Sequence, residues 1–172
     1  FYGNWLALEL FEMDFAQFTR LPSRFSAEPL LRAERARLLR RVSRDGFIDD
    51  YSRYMTALGL YRSQTAEHVL ETYRRAVADY GVPKEVLTDN GRQYTNWRGK
   101  TRFELELEKE RVKHIRSRPH HPMTLGKIER FWKSLLGEFL QRAQFDSFEQ
   151  AVERTALWVK YYNHKRPHQG IG

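Results

Sequence analysis

Glu85-Val86-Leu87-Thr88-Asp89-Asn90-Gly91 is the stretch on which the reading of this chain turns. Glu85 to Thr88 is a short run with two large apolar residues and a β-branched threonine, which predicts a strand, and Asn90-Gly91 is a turn signal that stops it at Asp89. A carboxylate at the carboxyl edge of a strand lies where α/β sheets build their sites. Just upstream, Val69, Leu70, Tyr73, Ala76, Val77 and Tyr80 recur at helical spacing. Ser63 or Thr65 can cap that helix, and Gly81 followed by Val82-Pro83 ends it.

The same reading extends outward in both directions. Trp5 to Phe15 is apolar on both parities, as in a mostly buried strand, with Asp14 near its carboxyl end. Residues 20–44 carry eight Arg and only two Glu, and read as a basic helix or a partly ordered insert. Gly46 breaks that pattern. Phe47 to Leu60 reads as two strands joined at Asp50-Tyr51-Ser52, where Asp49 and Asp50 are turn formers rather than metal ligands. Phe103 to Glu110 alternates apolar and acidic residues, but its Leu, Glu and Lys content favours a helix. Val112 to Ile115 reads as a strand, and Arg116 to Pro122 as an irregular basic loop. A helix is expected from Thr124, with Ile128, Phe131, Trp132, Leu135, Leu136 and Phe139 as its buried stripe and Glu129 at the margin. Asp146-Ser147, with Gln150 following, opens a last helix with Ala151, Thr155, Trp158, Val159 and Tyr162 inward. Trp132 and Trp158 fall on these stripes, as packing residues do.

Composition bounds what such a chain can do. At 172 residues and 41% hydrophobic content it suits one domain with a real core. Thirty Lys and Arg against 22 Asp and Glu leave a formal charge of +8, which favours a polyanionic partner. The chain contains no cysteine, which excludes disulfides and thiolate metal sites. No apolar run approaches the length of a membrane span, and the amino terminus lacks the order of a signal peptide. A soluble cytoplasmic protein is expected, with no membrane partner.

Asp14, Asp89 and Glu129 are the candidate catalytic and metal-binding set. Metal ions at a scissile phosphodiester need oxygen ligands converging from separate elements, and two acids on strand ends with one on a helix margin can supply them. Lys127, Arg130 and Lys133 lie three apart on the helix of Glu129, as a cationic ridge following a DNA backbone would. Tyr94, Trp97 and Arg98, in the loop after Asp89, are candidates for stacking and phosphate contact. Arg118 and His120 in the basic loop and Arg166 in the basic tail complete the DNA-contact set.

Four stretches occurring in order carry a family resemblance: Ile48-Asp49-Asp50-Tyr51-Ser52-Arg53; Thr88-Asp89-Asn90-Gly91; Arg118 to Phe131, with Pro119-His120-His121-Pro122 and Gly126-Lys127-Ile128-Glu129-Arg130-Phe131; and Tyr162-Asn163-His164-Lys165-Arg166-Pro167-His168. Together they resemble the integrase catalytic core of the DDE transposase and retroviral integrase superfamily, and look most like bacterial insertion-sequence transposases. The resemblance runs from residue 47 to the end. It implies an RNase H-like α/β fold, a five-stranded mixed sheet flanked by helices, with residues 1–172 forming one core-like domain. Residues 1–46, which hold the arginine-rich segment, are atypical. Asp89 matches the family's second aspartate and Glu129 its glutamate. Asp14 is the candidate for the first, with Glu12 also possible. The wide step from Asp14 to the Asp49 hairpin implies an insertion or a frameshifted stretch.

The implied activity is DNA transposition or integration: metal-dependent phosphodiester hydrolysis followed by strand transfer, supported by two Mg²⁺ or Mn²⁺ ions. The implied partners are the element's DNA ends and target DNA, with a homo-oligomer assembling on them in a bacterial, nucleoid-associated setting. The alternative is a catalytically incomplete transposase remnant that binds DNA without joining it. A nuclease of RNase H type would share fold and metals but would not account for the Tyr162 to His168 motif. A family member normally also has an amino-terminal helix-turn-helix region, so the chain is expected to be a fragment.

Overall fold

A computed structural model describes residues 3–10, 43–63, 65–117, 126–140, 142, 143, 145 and 147–166. Five strands form one mixed sheet: β1 (Asn4–Leu10), β2 (Ser43–Asp49), β3 (Met55–Tyr61), β4 (Glu85–Thr88) and β5 (Lys113–Arg116), in the order β3-β2-β1-β4-β5. β2 runs antiparallel to both β1 and β3, while β1, β4 and β5 are mutually parallel. The helices are α1 (Ala66–Tyr80), α2 (Arg102–Lys109), α3 (Gly126–Ser134) and α4 (Phe148–His164), and α3 continues as a wider π-helical stretch over Leu135–Leu140. None of the helices among the described residues is long and apolar enough to cross a membrane.

Strand alternation divides the core between the two sheet faces. On one face Trp5, Ala7, Phe47, Ala57 and Val86 meet Val69, Leu70, Tyr73 and Ala76 of α1 and Phe103 and Leu107 of α2. On the other, Leu6, Ile48, Met55 and Leu87 meet Ile128, Phe131, Trp132, Leu135 and Leu136 and the α4 residues Trp158 and Tyr162. Trp5 to Ala7 is therefore apolar on both parities because β1 is the central strand and has a helical layer on each side.

The caps expected at Thr65 and Ser147 are present, and a further one stands at Thr101. Thr65 caps α1 by accepting from the His68 amide, and Gly81 ends it at φ 83°, a left-handed conformation that favours glycine. Thr101 and Glu104 form a reciprocal capping box on α2, and the Ser147 side chain accepts from the Gln150 amide on α4. The helix expected over Phe103 to Glu110 is present.

Gly46 does not break the chain as expected. It lies inside β2 opposite Leu8, and a Cβ there would come within 3.1 Å of the Trp132 ring, so it is the gap into which the α3 indole packs. Ser43 and Arg44, the end of the arginine-rich segment, are already buried in β2. The rest of that segment and Asp14 lie outside the described residues.

Asp49 shapes the β2–β3 turn, its carboxylate accepting from both the amide and the hydroxyl of Ser52 at 2.8 and 2.6 Å. Asn163 closes the edge of the sheet by mimicking a neighbouring strand. Its side-chain oxygen accepts from the Met55 amide at 2.9 Å, and its side-chain nitrogen donates to the Met55 carbonyl at 3.0 Å. Tyr162 packs edge-on to Phe131 at 4.8 Å, so the described part of the Tyr162 to His168 motif anchors α4 to the sheet.

Candidate metal and DNA site

β4 is only four residues long and ends at Thr88, which leaves Asp89 at the carboxyl edge of the sheet. Leu87 faces α3, and Thr88, the last strand residue, faces the opposite side toward α2. One Asp89 oxygen accepts from the Gly91 amide at 2.8 Å. Burial pushes the Asp89 carboxyl above its ordinary value, and the Gly91 hydrogen bond partly offsets this. Among the described residues no cation pairs with Asp89; a half-buried carboxylate so placed is costly to ionise, and a bound cation would relieve that cost.

Glu129 is half-buried on the first turn of α3, one residue past Ile128, which is fully buried in the same cluster as Leu87. The sequence candidates Asp89 and Glu129 thus lie on elements packed on one sheet face. Among the described residues no three His, Asp or Glu side chains converge closely enough to hold a metal ion. Asp14 is outside those residues. The last β1–β4 pair is Ala7 with Thr88, so Leu8, not an acid, is the next β1 residue along from that pair toward Asp89. As a donor set, Asp89 and Glu129 suit a hard divalent cation: both offer oxygen, and among the described residues neither makes an ion pair.

Behind Asp89 lies a connected polar network. The Thr88 hydroxyl donates to the Asp89 carbonyl at 2.9 Å and also lies 2.8 Å from His114 Nε2. His114 Nδ1 is 3.9 Å from Glu104 Oε1, which accepts from Arg116 at 2.8 Å. Burial lowers the His114 pKa from its ordinary value; Glu104 acts in the opposite direction and Arg116 with the burial. Neither His114 nor Thr88 stands out in the sequence as a site residue. The strand pairing that aligns β4 with β5 is what brings the two together.

The DNA-contact candidates separate sharply. Trp97 is 84% exposed, with the Arg98 guanidinium 4.5 Å from its ring centroid. Tyr94, three residues earlier, is 0% exposed and packs edge-on to Phe103 at 5.2 Å. The expectation that Tyr94 touches DNA is therefore corrected: its ring belongs to the core, where no base can reach it. Arg130 and Lys133 are exposed on α3. Lys127 instead donates to Asp50, which leaves two members of the expected ridge in solvent. Arg166 is engaged by Glu138 and the Ser134 hydroxyl, bracing α4 against the end of α3. Arg118 and His120 lie outside the described residues.

The sheet order, the mixed strand directions and the helices on both faces define an RNase H-like integrase core fold. The resemblance to the integrase core of insertion-sequence transposases holds in sequence as well as in fold. Residues 110–172 match the family described as Integrase core domain. Residues 1–58 match the MEKHLA domain, but in this fold that range supplies β1, β2 and the start of β3 to the same sheet. An uncharacterized 39.2 kDa protein of insertion element IS476 from Xanthomonas euvesicatoria is 28% identical over 77% of this chain and 37% of its own length. The transposase of insertion sequence IS904 from Lactococcus lactis is 31% identical over 50% of this chain and 33% of its own. The chain thus spans about a third of the length of these curated relatives.

Among solved structures, the BIV integrase catalytic core superposes with a TM-score of 0.63 at 14% identity, covering 99% of this chain and 89% of that one. The HTLV-2 integrase catalytic core, solved with magnesium in a trimeric form, gives 0.60 at 13%, covering 98% and 89%. At such identities these likenesses speak to the fold.

Proposed function

We propose that this chain is the catalytic core of an insertion-sequence transposase, in which Asp89 and Glu129, with Asp14 as third acid, hold divalent metal ions for DNA strand cleavage and joining. The observation that carries the reading is Asp89 itself: a half-buried carboxylate at the carboxyl edge of the sheet, raised by burial and with no ion pair among the described residues. Bound Mg²⁺ or Mn²⁺ would supply charge neutralisation at the phosphodiester and a lowered pKa for the attacking oxygen. Asp89 and Glu129 would hold such ions from two separate elements. Trp97 and Arg98, at an exposed position on the loop after Asp89, would receive nucleic acid, while Arg130 and Lys133 would pair with phosphates along α3. Work on two DNA ends implies a homo-oligomer, and a cytoplasmic, nucleoid-associated setting follows from DNA as substrate.

A second reading is the DNA-binding remnant, favoured by the β1 register: the described β1 residues paired with β4, Asn4 to Ala7, include no acid. Calorimetric Mn²⁺ titration of wild type, Asp14→Asn, Asp89→Asn and Glu129→Gln decides between them. Weaker binding in all three variants, with metal-dependent plasmid nicking that they lose, supports the catalytic core. Loss of binding in Asp89→Asn but not Asp14→Asn, with DNA binding intact and no nicking by wild type, supports the remnant.

A further inference from the structure

Asp89 follows directly on a threonine whose hydroxyl is fully buried and has two partners. A hydroxyl has one proton to give, and that of Thr88 goes to the Asp89 carbonyl. With the proton so placed, His114 Nε2 is the donor to the Thr88 oxygen. Nδ1 is left facing Glu104. The imidazole is held on its remaining side by the Phe103 ring, edge-on at 5.8 Å. Glu104 is itself fixed: one oxygen accepts from the Thr101 amide at 2.9 Å, and the other from Arg116. A chain of contacts therefore runs from the start of α2, through β5, to the peptide that carries Asp89.

Resting on the metal-site reading above, we infer that Thr88 and His114 are positioning residues for Asp89. The Thr88 hydroxyl, oriented by His114, fixes the Asp89 peptide and so aims its carboxylate. Beyond Thr88 the backbone has left the sheet, and the ladder no longer sets its direction. The Ser117 amide takes the Thr88 carbonyl at 2.8 Å, and the Gly91 amide takes the Asp89 carboxylate. The Asp89 carbonyl has the Thr88 hydroxyl as its tie. Removing the hydroxyl frees the peptide to rotate and turns the carboxylate away from Gly91. The network lies on the α2 face, away from Glu129, so its effect reaches the metal site only through Asp89.

The test uses two pairs of variants. Thr88→Val keeps the shape without the hydroxyl, and Thr88→Ser restores it. His114→Leu removes the donor, and His114→Gln restores a side-chain N–H. Mn²⁺ affinity is measured by calorimetry, with Asp89→Asn as control, and exchange of the Gly91 amide is followed by NMR without metal. Thr88→Val and His114→Leu are expected to weaken Mn²⁺ binding about tenfold or more and to speed Gly91 exchange, with the Ser and Gln variants close to wild type. Wild-type affinity and unchanged Gly91 exchange in both Thr88→Val and His114→Leu would overturn the inference. If wild type binds no Mn²⁺, the metal-site reading fails and Gly91 exchange alone decides: faster exchange upholds the positioning role and unchanged exchange refutes it. Should Thr88→Val not fold, the His114 pair reads the same link from its other end.

Discussion

Replacing Trp97 by Ala isolates DNA contact from stability in a single side chain. The indole is 84% exposed, and among the described residues its ring contact is with the adjacent Arg98 at 4.5 Å, so its removal takes nothing from the described core. Folding stability should stay within about 0.5 kcal/mol of wild type, as for surface positions generally. Arg98 covers one face of the ring, which leaves the other for a single base. One base–aromatic stack is worth about 1 to 3 kcal/mol, or roughly a 5- to 150-fold loss of affinity. Fluorescence anisotropy of a labelled oligonucleotide with a single-stranded overhang, at one fixed salt concentration, measures the loss, and urea unfolding measures the stability. The salt dependence should be unchanged, because no phosphate contact has been removed. Equal affinity for wild type and Trp97→Ala would refute the assignment of this loop to DNA. A loss of several kcal/mol in stability would refute the claim that the ring is outside the core.

Lys133→Ala should weaken binding without regard to sequence and lower the salt slope, by about 0.9 for duplex if one phosphate contact is lost; anisotropy across a salt series reads it. Asp89→Asn should raise the melting temperature of the metal-free protein at neutral pH. Burial raises the folded carboxyl above its unfolded value, so the ionised form costs stability, and that cost fades as pH falls through the folded pKa. The gap between variant and wild type should narrow in acid and reverse in excess Mn²⁺. His114 works with the opposite sign: its folded pKa is lowered, so the unfolded chain takes up its proton first and stability falls as pH drops through the ordinary histidine range. His114→Gln should flatten that slope in urea titrations run at several pH values. Phe131→Ala removes a ring packed against Trp132, Trp158 and Tyr162 and should cost about 3 to 5 kcal/mol. A loss below about 1 kcal/mol would mean the core closes over the gap more readily than Phe/Trp→Ala changes usually allow.

The outline of the fold was legible because its signals are local. Caps at Thr65 and Ser147, the glycine stop at Gly81 and the apolar stripe from Ile128 act within a turn or two of chain, and each lies where periodicity and capping chemistry put it. Asp89 and Glu129 stood out for the same reason, one by its turn and the other by the motif around it. Gly46 was misread because its role depends on Trp132, far along the chain, whose ring occupies the space a side chain would need.

From sequence alone came the α/β character, the positive charge that suits DNA, and the choice of candidate acids, since propensity, charge and motif are carried by neighbouring residues. Only the tertiary structure decided which of two aromatic residues in one loop faces solvent: Tyr94 is drawn against Phe103, and Trp97 is left outside. Only it showed that Lys127 pairs with Asp50 and that Thr88 meets His114 from a strand 26 residues away. Those outcomes depend on strand order and register, and register is settled by the burial of two whole faces at once rather than by any short stretch of chain.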